Sequence, residues 1–252
     1  MPSAFACLLL HGFGGSPFEM SPVAESLEQS GFSTVCPTLP GHCQDEKSFA
    51  QTRFADWMAC AEQEYNRLHG QGKKVFVAGL SMGGSLGLAL AQRHSLAGLA
   101  TLAAPVCLYS WFPWRGSSYL LPFVPWLKWF RPIISTPPPS RESNEIAPYQ
   151  GYEGFQALHP LSSLLKGLRP VRRGLELVSA PLLVMHSPQD AMVPRENAWE
   201  ILTRVQSPIR RLHLLPIQER ITSRHVLTTH RETASQVSRA CADFFLQLAE
   251  QG

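Results

Sequence analysis

Residues 75–84 read VFVAGLSMGG, a short apolar run that leads into a Gly-x-Ser-x-Gly pentapeptide. The residues that follow, 85–91, are small or apolar, which predicts a helix directly after the turn. A serine between a strand and a helix lies on a sharp, strained turn that lifts its hydroxyl out of the sheet. Glycines are expected at 79 and 83, since a Cβ there would collide with the adjoining strand or helix. Such pentapeptides also occur in loops, so the flanking strand and helix are what favour a catalytic role for Ser81.

Length and composition indicate one large α/β domain. The chain has 252 residues, of which 44% are hydrophobic and 16% charged, values typical of a globular protein with a substantial core. The formal net charge is only +3 and the lysines and arginines are scattered, which argues against a nucleic-acid partner. No basic leader precedes the apolar stretch at 4–10, and no run of about twenty apolar residues is present. We therefore expect neither secretion nor stable membrane insertion.

The cysteines give an indication of the compartment. The six cysteines, at positions 7, 36, 43, 60, 107 and 241, show no Cys-x-x-Cys pair and no spacing typical of metal ligands. Several lie within apolar runs, which predicts buried free thiols in a reducing environment. The expected location is cytoplasmic.

Short apolar runs alternate with helical segments, a pattern typical of a parallel sheet with helices on both faces. The predicted strands are Phe5–Leu10, Ser33–Cys36, Lys74–Ala78, Gly98–Leu102, Leu182–His186 and Arg210–Leu215. The predicted helices are Glu19–Gln29, Phe54–Leu68, Ser85–Arg93, Arg195–Val205 and His230–Ala249. The fold class that this order predicts is α/β.

The segment 106–180 interrupts this alternation and predicts a cap or lid inserted into a core domain formed by 1–105 and 181–252, because long irregular segments in compact domains are usually functional. It contains aromatic runs at 109–114 and 120–130. Trp111, Phe123 and Trp126 are the predicted substrate-binding residues in the roof of an apolar pocket. Alternatively, the aromatic side chains pack the cap onto the core. A third interpretation, an interfacial membrane anchor, requires a cleaner basic amphipathic helix than 120–131 provides.

A serine hydroxyl needs a base to take its proton, and the base needs an acid to orient it. In sheet-based hydrolases the acid and then the base follow the serine along the chain. Of the four aspartates, Asp190 is the one that follows a predicted strand, at the edge of the sheet where functional loops occur. The alternative role for Asp190 is that of a turn-capping residue.

Three histidines follow Asp190. His213 lies within a predicted strand and is expected to be structural, whereas His225 follows the loop 216–224. His230 is expected to open the last helix, where a polar residue can act as a cap. His225 is therefore the predicted base.

The sequence also predicts an oxyanion hole, a pair of backbone N–H groups that stabilise a negatively charged oxygen. Gly12, Phe13 and Gly14 follow the first predicted strand, and the glycines, both predicted to contact substrate, let the backbone approach it closely. The amide of Phe13 is the expected partner of the amide of Met82, which begins the helix after Ser81. The glycines could also form a simple flexible turn, while His11 is expected to brace the loop. Neither a phosphate loop nor a dinucleotide fingerprint matches these glycines.

With these motifs, the chain resembles the α/β-hydrolase family, and within it the small bacterial carboxylesterases and monoacylglycerol lipases. The resemblance is carried by segments spread from end to end, at 8–15, 40–42, 54–57, 78–84, 186–194 and 225–228. It implies a sheet of the eight-stranded type that lacks the N-terminal hairpin, and hydrolysis of carboxylic esters. It also implies Ser81, Asp190 and His225 as the triad and the amides of Phe13 and Met82 as the oxyanion hole.

The chain departs from this family in the region of the base. The loop before His225 is longer than expected, Arg224 replaces a small residue, and His230 stands where relatives often carry an aspartate. A guanidinium close to an imidazole disfavours the charged imidazolium. The sequence therefore suggests that Arg224 lowers the pKa of His225.

The expected reaction is two-step acyl transfer through an acyl-serine, which requires no metal or organic cofactor. The aromatic cap favours a small ester with an apolar acyl chain, and we expect tolerance of short to medium chains. A monoacylglycerol lipase is the nearest alternative. Acyltransferases and C–C bond hydrolases share such scaffolds, and a binding module on an inactive scaffold is the non-enzymatic alternative.

Overall fold

A computed structural model describes residues 4–111 and 114–251, and a parallel β-sheet forms the centre of the molecule. The strands, in chain order, are β1 (Phe5–Leu10), β2 (Ser33–Val35), β3 (Lys74–Leu80), β4 (Gly98–Leu102), β5 (Tyr109–Ser110), β6 (Arg115–Gly116), β7 (Ile133–Ser135), β8 (Phe155–Ala157), β9 (Leu182–His186) and β10 (Arg210–Leu214). Among the described residues, six strands form the central sheet in the order β10-β9-β4-β3-β1-β2, and every neighbouring pair is parallel. The predicted α/β architecture with a parallel sheet is confirmed.

The helices surround this sheet. In chain order they are α1 (Ser21–Gln29), α2 (Glu46–Gln51), α3 (Phe54–Gly70), α4 (Met82–Ala91), α5 (Val124–Leu127), α6 (Arg141–Ile146), α7 (Leu158–Arg173), α8 (Glu196–Arg204) and α9 (Ala234–Gln251). Single 3₁₀ turns lie at Pro17–Met20, Leu121–Phe123 and Leu175–Leu177. The predicted helix Glu19–Gln29 therefore begins as a 3₁₀ turn, and the last helix begins four residues later than predicted.

The four inner strands of the central sheet, β1, β3, β4 and β9, bury both of their faces. Along β1, Leu8 packs into the cluster that contains side chains of α3, α4, α7 and α8, while Leu9 packs into the cluster that contains those of α1 and α9. The alternation follows from the two-residue period of a strand. Since helices cover both faces, the loops at the strand ends are the surfaces left free for a site.

The turn between β3 and α4 holds Ser81 at φ 53° and ψ −121°, a backbone conformation that is unfavourable for a residue with a side chain. A Cβ on Gly79 would lie 2.3 Å from the backbone of Gly83, and a Cβ on Gly83 would lie 2.0 Å from the carbonyl oxygen of Leu10. Both glycines are needed because α4 starts in contact with the strands, as the sequence predicted.

We expect Gly83→Ala to lower the free energy of unfolding by about 3 kcal/mol or more, because the new methyl group meets rigid backbone of β1. Urea denaturation followed by circular dichroism measures this difference. Gly70→Ala is the matched control, since a Cβ at Gly70 meets nothing within 4 Å; it should change stability by no more than about 1 kcal/mol. Equal stability of the two variants would contradict this account of the turn.

The predicted cap segment contains two different parts. Its first part carries the hairpin β5–β6, the short helices α5 and α6, and the antiparallel pair β7–β8. Its second part, α7, packs against α3 and α4. Leu164 and Leu168 of α7 belong to the same hydrophobic cluster as the buried side chains of α3 and α4. Gly167 permits this approach, since a Cβ there would lie 2.3 Å from the ring of Phe54. Residues 1–3, 112, 113 and 252, which the predicted domains and the aromatic run at 109–114 include, lie outside the described residues.

Within residues 4–111 and 114–251, no helix combines the length and the apolar character needed to cross a bilayer.

Candidate active site

Ser81, His225 and Asp190 come together at the carboxyl ends of β3 and β9. The Oγ atom of Ser81 lies 2.9 Å from Nε2 of His225, and Nδ1 of the same ring lies 2.7 Å from Oδ2 of Asp190. Both distances are within hydrogen-bonding range, so the hydroxyl, the imidazole and the carboxylate form a continuous chain. A hydroxyl at one end of such a chain can lose its proton to the imidazole, while the carboxylate holds the ring in one tautomer.

Asp190 acts in its own loop as well as towards His225. Its Oδ1 accepts hydrogen bonds from the amides of Met192 (2.8 Å) and Val193 (2.9 Å), which leaves Oδ2 for the imidazole. The side chain is fully buried. The turn-capping role considered for Asp190 and its position beside His225 are thus both present, because the two oxygens serve different partners.

The long loop before His225 is held by Glu219. Its carboxylate accepts hydrogen bonds from the amides of Ile221 and Thr222, from the Thr222 hydroxyl, and from Nε2 of His230 at 3.2 Å. Burial favours the neutral acid, but the hydrogen bonds from Thr222, Ile221 and His230 outweigh it and lower the pKa of Glu219 to about 2. An ionised Glu219 therefore fixes the segment that carries His225, and His230 is its buried partner.

His230 also begins the turn that leads into α9. Its Nδ1 accepts the amide hydrogen of Glu232, and its carbonyl oxygen accepts that of Ala234. The predicted capping role agrees with these contacts. His213, in contrast, lies exposed on the edge strand β10, where it has no contact with Ser81.

Two backbone amides flank Ser81. Phe13 follows β1 and Met82 is the first residue of α4, and both residues line or adjoin the cavity at Ser81. Within residues 4–111 and 114–251, neither amide donates a hydrogen bond to a protein acceptor. Free N–H groups beside a nucleophile are what an oxyanion hole requires.

His11 braces the loop that carries Phe13. Its Nε2 accepts a hydrogen bond from the amide of Leu39 at 3.1 Å, and its Nδ1 donates to the carbonyl oxygen of Gly12 at 3.0 Å. Burial, together with the neighbouring His42, lowers the pKa of His11 to about 3, so the ring is neutral. The structure thus agrees with a bracing rather than a basic role.

A family model described as serine aminopeptidase, S33, matches residues 2–218 of the chain. The chain belongs to this family of α/β hydrolases. A thermostable monoacylglycerol lipase from Bacillus sp. (strain H-257) is 31% identical over 204 residues, which cover 79% of this chain and 76% of the relative. The carboxylesterase of Bacillus subtilis (strain 168) is 24% identical over 233 residues, which cover 90% and 87% of the two chains.

Solved structures show the same fold. A structure reported with two metagenome-derived lipolytic enzymes, LipS and LipT, superimposes with a TM-score of 0.80 at 22% identity and covers 97% of this chain and 94% of the other. Together with the family match, the relatives identify an ester hydrolase of the esterase and lipase type.

The cavity of this hydrolase at Ser81 has a volume of about 250 Å³ and a mainly apolar lining. Gly12, Phe13 and Leu80 line one part of it, and residues between Pro139 and Tyr149, which belong to the predicted cap segment, line another. Gly14 lies beside the cavity rather than in its lining. Its φ of 72° requires glycine, and its carbonyl oxygen accepts a hydrogen bond from the Tyr149 hydroxyl at 2.8 Å, which ties the cap to the loop.

The three aromatic residues predicted to bind substrate lie elsewhere. Trp111, Phe123 and Trp126 are 64%, 53% and 65% exposed, and the cavity at Ser81 is lined by other residues. Trp111 contacts Phe123 at 6.2 Å between ring centres, and Trp126 contacts Phe130 at 4.8 Å. The structure brings α6 and the residues after it over Ser81 instead, so these aromatic side chains do not form the roof.

The pKa of His225 is raised rather than lowered, and the charges that shift it are those of Asp190 and Glu19 rather than that of Arg224. Burial opposes the charged form of His225, but the charge of Asp190, its hydrogen bond and the charge of Glu19 together raise the pKa above its ordinary value. Arg224 has a φ of 55°. Glycine is favoured at such a position because it has no Cβ, which is a conformational reason rather than an electrostatic one.

Arg224→Ala should leave the acid limb of the pH–kcat/KM profile where it is, because the carboxylates of Asp190 and Glu19 set the pKa of His225. The profile is measured with a neutral p-nitrophenyl ester. Arg220→Ala, a substitution in the same loop, is the control. A limb that moves to higher pH in Arg224→Ala alone would show that the guanidinium had lowered the pKa.

Sequence reasoning missed Glu19, Asn144 and Tyr149, which also line the cavity. Asn144 and Tyr149 belong to a segment without strong periodicity, so no local pattern indicated them. Glu19 carried one signal, an acidic residue four positions after a pair of glycines, but the sequence pattern predicts it as the first residue of the helix Glu19–Gln29.

Proposed function

We propose that this hydrolase cleaves carboxylic esters with short to medium acyl chains, with Ser81 as nucleophile, His225 as general base and Asp190 as the orienting acid. One observation carries the proposal: the continuous chain from Ser81 Oγ through the His225 ring to Asp190, with links of 2.9 and 2.7 Å. The family match ends at residue 218, so support for His225 comes from this geometry.

In the first half of the reaction, Ser81 Oγ attacks the carbonyl carbon of the ester and His225 Nε2 takes the hydroxyl proton. The carbonyl oxygen becomes an oxyanion that accepts hydrogen bonds from the amides of Phe13 and Met82. Asp190 stabilises the imidazolium through Nδ1–H. The tetrahedral intermediate then collapses, and the alcohol leaves with the proton of His225.

In the second half, a water molecule takes the place of the alcohol. His225 removes one of its protons, the resulting hydroxide attacks the acyl-Ser81 carbonyl carbon, and the oxyanion forms between the same two amides. Collapse of this intermediate returns the proton to Ser81 Oγ and releases the carboxylic acid. Every proton transfer uses His225, so one residue alternates as base and acid.

The size and the lining of the cavity favour an ester with a short to medium acyl chain. Its volume of about 250 Å³ is slightly below the range of about 300–1,000 Å³ typical of sites for drug-sized ligands. The apolar side chains of Phe13, Leu80, Met192 and Val226 favour a hydrocarbon chain over a sugar or a peptide. A monoacylglycerol lipase is the second candidate, because the relative from Bacillus sp. (strain H-257) bears that description.

A substrate series tests the proposal. We expect kcat/KM for p-nitrophenyl esters, compared from acetyl to palmitoyl, to peak at short to medium chains. Monoacylglycerols of matched acyl length separate the two candidates, since a lipase of that kind should prefer them over the corresponding ethyl esters. Aminoacyl p-nitroanilides test for aminopeptidase activity, the activity that gives the family its description. Cleavage of these amides without cleavage of any ester would overturn the proposal.

We further propose a reducing compartment such as the cytoplasm. All six cysteines lie in the described part of the chain, where none forms a disulfide, and Cys7 and Cys241 are buried free thiols. Unpaired cysteines persist in reducing environments.

A further inference from the structure

Glu19 is a buried carboxyl group at the cavity that no step of the proposed reaction uses. It lies on the 3₁₀ turn Pro17–Met20, its residue is only 2% exposed, and it lines the same cavity as Ser81. A buried carboxyl group is costly unless it is hydrogen-bonded. The hydrogen-bond partners of the Glu19 carboxyl group should therefore explain why it is buried at this position.

The carboxyl group of Glu19 fills the inside of the loop from Gly12 to Gly15. Its Oε2 accepts a hydrogen bond from the amide of Gly12 at 2.9 Å. A Cβ on Gly15 would lie 2.4 Å from both carboxyl oxygens, so glycine at 15 leaves the space that the carboxyl group occupies. The side chain and the loop are thus fitted to each other.

The other end of Gly12 is also held. Its carbonyl oxygen accepts hydrogen bonds from the amide of Gly15 at 3.2 Å and from Nδ1 of His11 at 3.0 Å. In a planar trans peptide the C=O and the following N–H point in opposite directions. Anchoring the carbonyl of Gly12 therefore fixes the direction of the Phe13 N–H.

This anchored residue lies directly beside the nucleophile. The position that a Cβ of Gly12 would take is 3.3 Å from Glu19 Oε2 and 3.5 Å from the Cβ of Ser81. A small rotation of Gly12 would consequently turn the Phe13 N–H away from the oxygen of the carbonyl group that Ser81 attacks. Hydrogen-bond donors stabilise an oxyanion only when they are already aimed at its position.

We propose that Glu19 is a positioning residue that clamps Gly12 through its amide, so that the Phe13 N–H is aimed at the oxyanion formed on Ser81. The inference rests on the proposed function, because it assigns a role within that oxyanion hole. It predicts that loss of the clamp weakens binding of the transition state more than binding of the ester.

The chemistry of Glu19 identifies the best variants. Burial raises the pKa of Glu19 to about 7, and both the protonated and the ionised group retain an oxygen that can accept from the Gly12 amide. Glutamine also has such an oxygen and carries no charge, whereas methionine has similar length and no comparable acceptor. Glu19→Gln and Glu19→Met therefore differ mainly in the hydrogen bond to Gly12.

For Glu19→Met we expect kcat for a neutral p-nitrophenyl ester to fall by about 10–100-fold, with KM changed by less than about threefold. Glu19→Gln should retain kcat within about fivefold. Affinity for a trifluoromethyl ketone, which forms a hemiketal oxyanion with Ser81, should fall in Glu19→Met by the same factor as kcat/KM. Glu25→Gln, an exposed carboxylate on α1, is the matched control and should equal the parent.

Gly15→Ala provides a second route that keeps Glu19 but pushes its carboxyl group off the Gly12 amide, and it should give the same loss of kcat at nearly constant KM. The proposal is overturned if Glu19→Met keeps kcat within twofold, or if kcat falls while affinity for the ketone is unchanged. It is equally overturned if Glu19→Gln loses as much as Glu19→Met. Activity of the parent and its loss in Ser81→Ala establish the proposed function separately, so the two failures are distinguishable.

Discussion

Ser81→Ala is expected to lower kcat for a p-nitrophenyl ester by about 10⁴-fold or more. In the proposed reaction the Ser81 side chain supplies the oxygen that forms the acyl-enzyme, and a methyl group cannot replace it. Under the same proposal, the variant keeps substrate binding and the stabilisation by the amides of Phe13 and Met82. Steady-state hydrolysis and labelling by a serine-reactive phosphonate measure the effect, and both signals should disappear together.

The matched control is Ser223→Ala, because Ser223 lines the same cavity and contributes its carbonyl oxygen, rather than its side chain, to the hydrogen bond with Ala191. It should keep kcat within about threefold of the parent. Thermal unfolding should be unchanged by this control. Residual activity of more than a few per cent in Ser81→Ala, with Ser223→Ala unaffected, would exclude Ser81 as the nucleophile.

Asp190→Asn is expected to lower kcat by about 10⁴-fold, because an amide can stabilise the wrong tautomer of His225. A second effect concerns pH. His225 must be neutral to act as base, and the negative charge of Asp190 raises the pKa of His225. Removal of that charge lowers the pKa, so the acid limb of the kcat/KM profile should move to lower pH.

Asn at position 190 retains an oxygen for the amides of Met192 and Val193, so the loop should keep its structure. Asp243→Asn, an exposed carboxylate on α9, is the control and should change neither kcat nor the profile. An acid limb that stays in place in Asp190→Asn would mean that another group sets the pKa of His225. Unaltered kcat would remove Asp190 from the triad.

The central sheet and its covering helices could be predicted closely because their signal is local. Strands such as β1 and β9 are continuous apolar runs, and α3 and α8 carry the period of an amphipathic helix. The turn at Ser81 was equally predictable. A Cβ on either of its glycines would collide with backbone atoms that are only a few residues away or on the neighbouring strand.

The internal structure of the segment 106–180 was harder to predict from the sequence. Helix α7 contains Pro160, Gly167 and Pro170, which obscure a helical pattern in the sequence. Its packing against Phe54 requires the glycine at 167, a contact between residues more than a hundred positions apart. The aromatic side chains of the cap suggested a pocket roof by composition alone, but composition does not specify which segment lies over Ser81.

By itself, then, the sequence determined the α/β fold class, the strained turn at Ser81 and Asp190 and His225 as candidate partners, because each depends on short-range pattern and on order along the chain. Only the tertiary structure decided that α6 and Tyr149 cover the cavity and that Glu19 lies inside the loop from Gly12 to Gly15. It also placed the carboxyl groups of Asp190 and Glu19 near His225, whose pKa depends on the charges that lie nearby in space. Such contacts join residues distant in sequence, and no local periodicity records them.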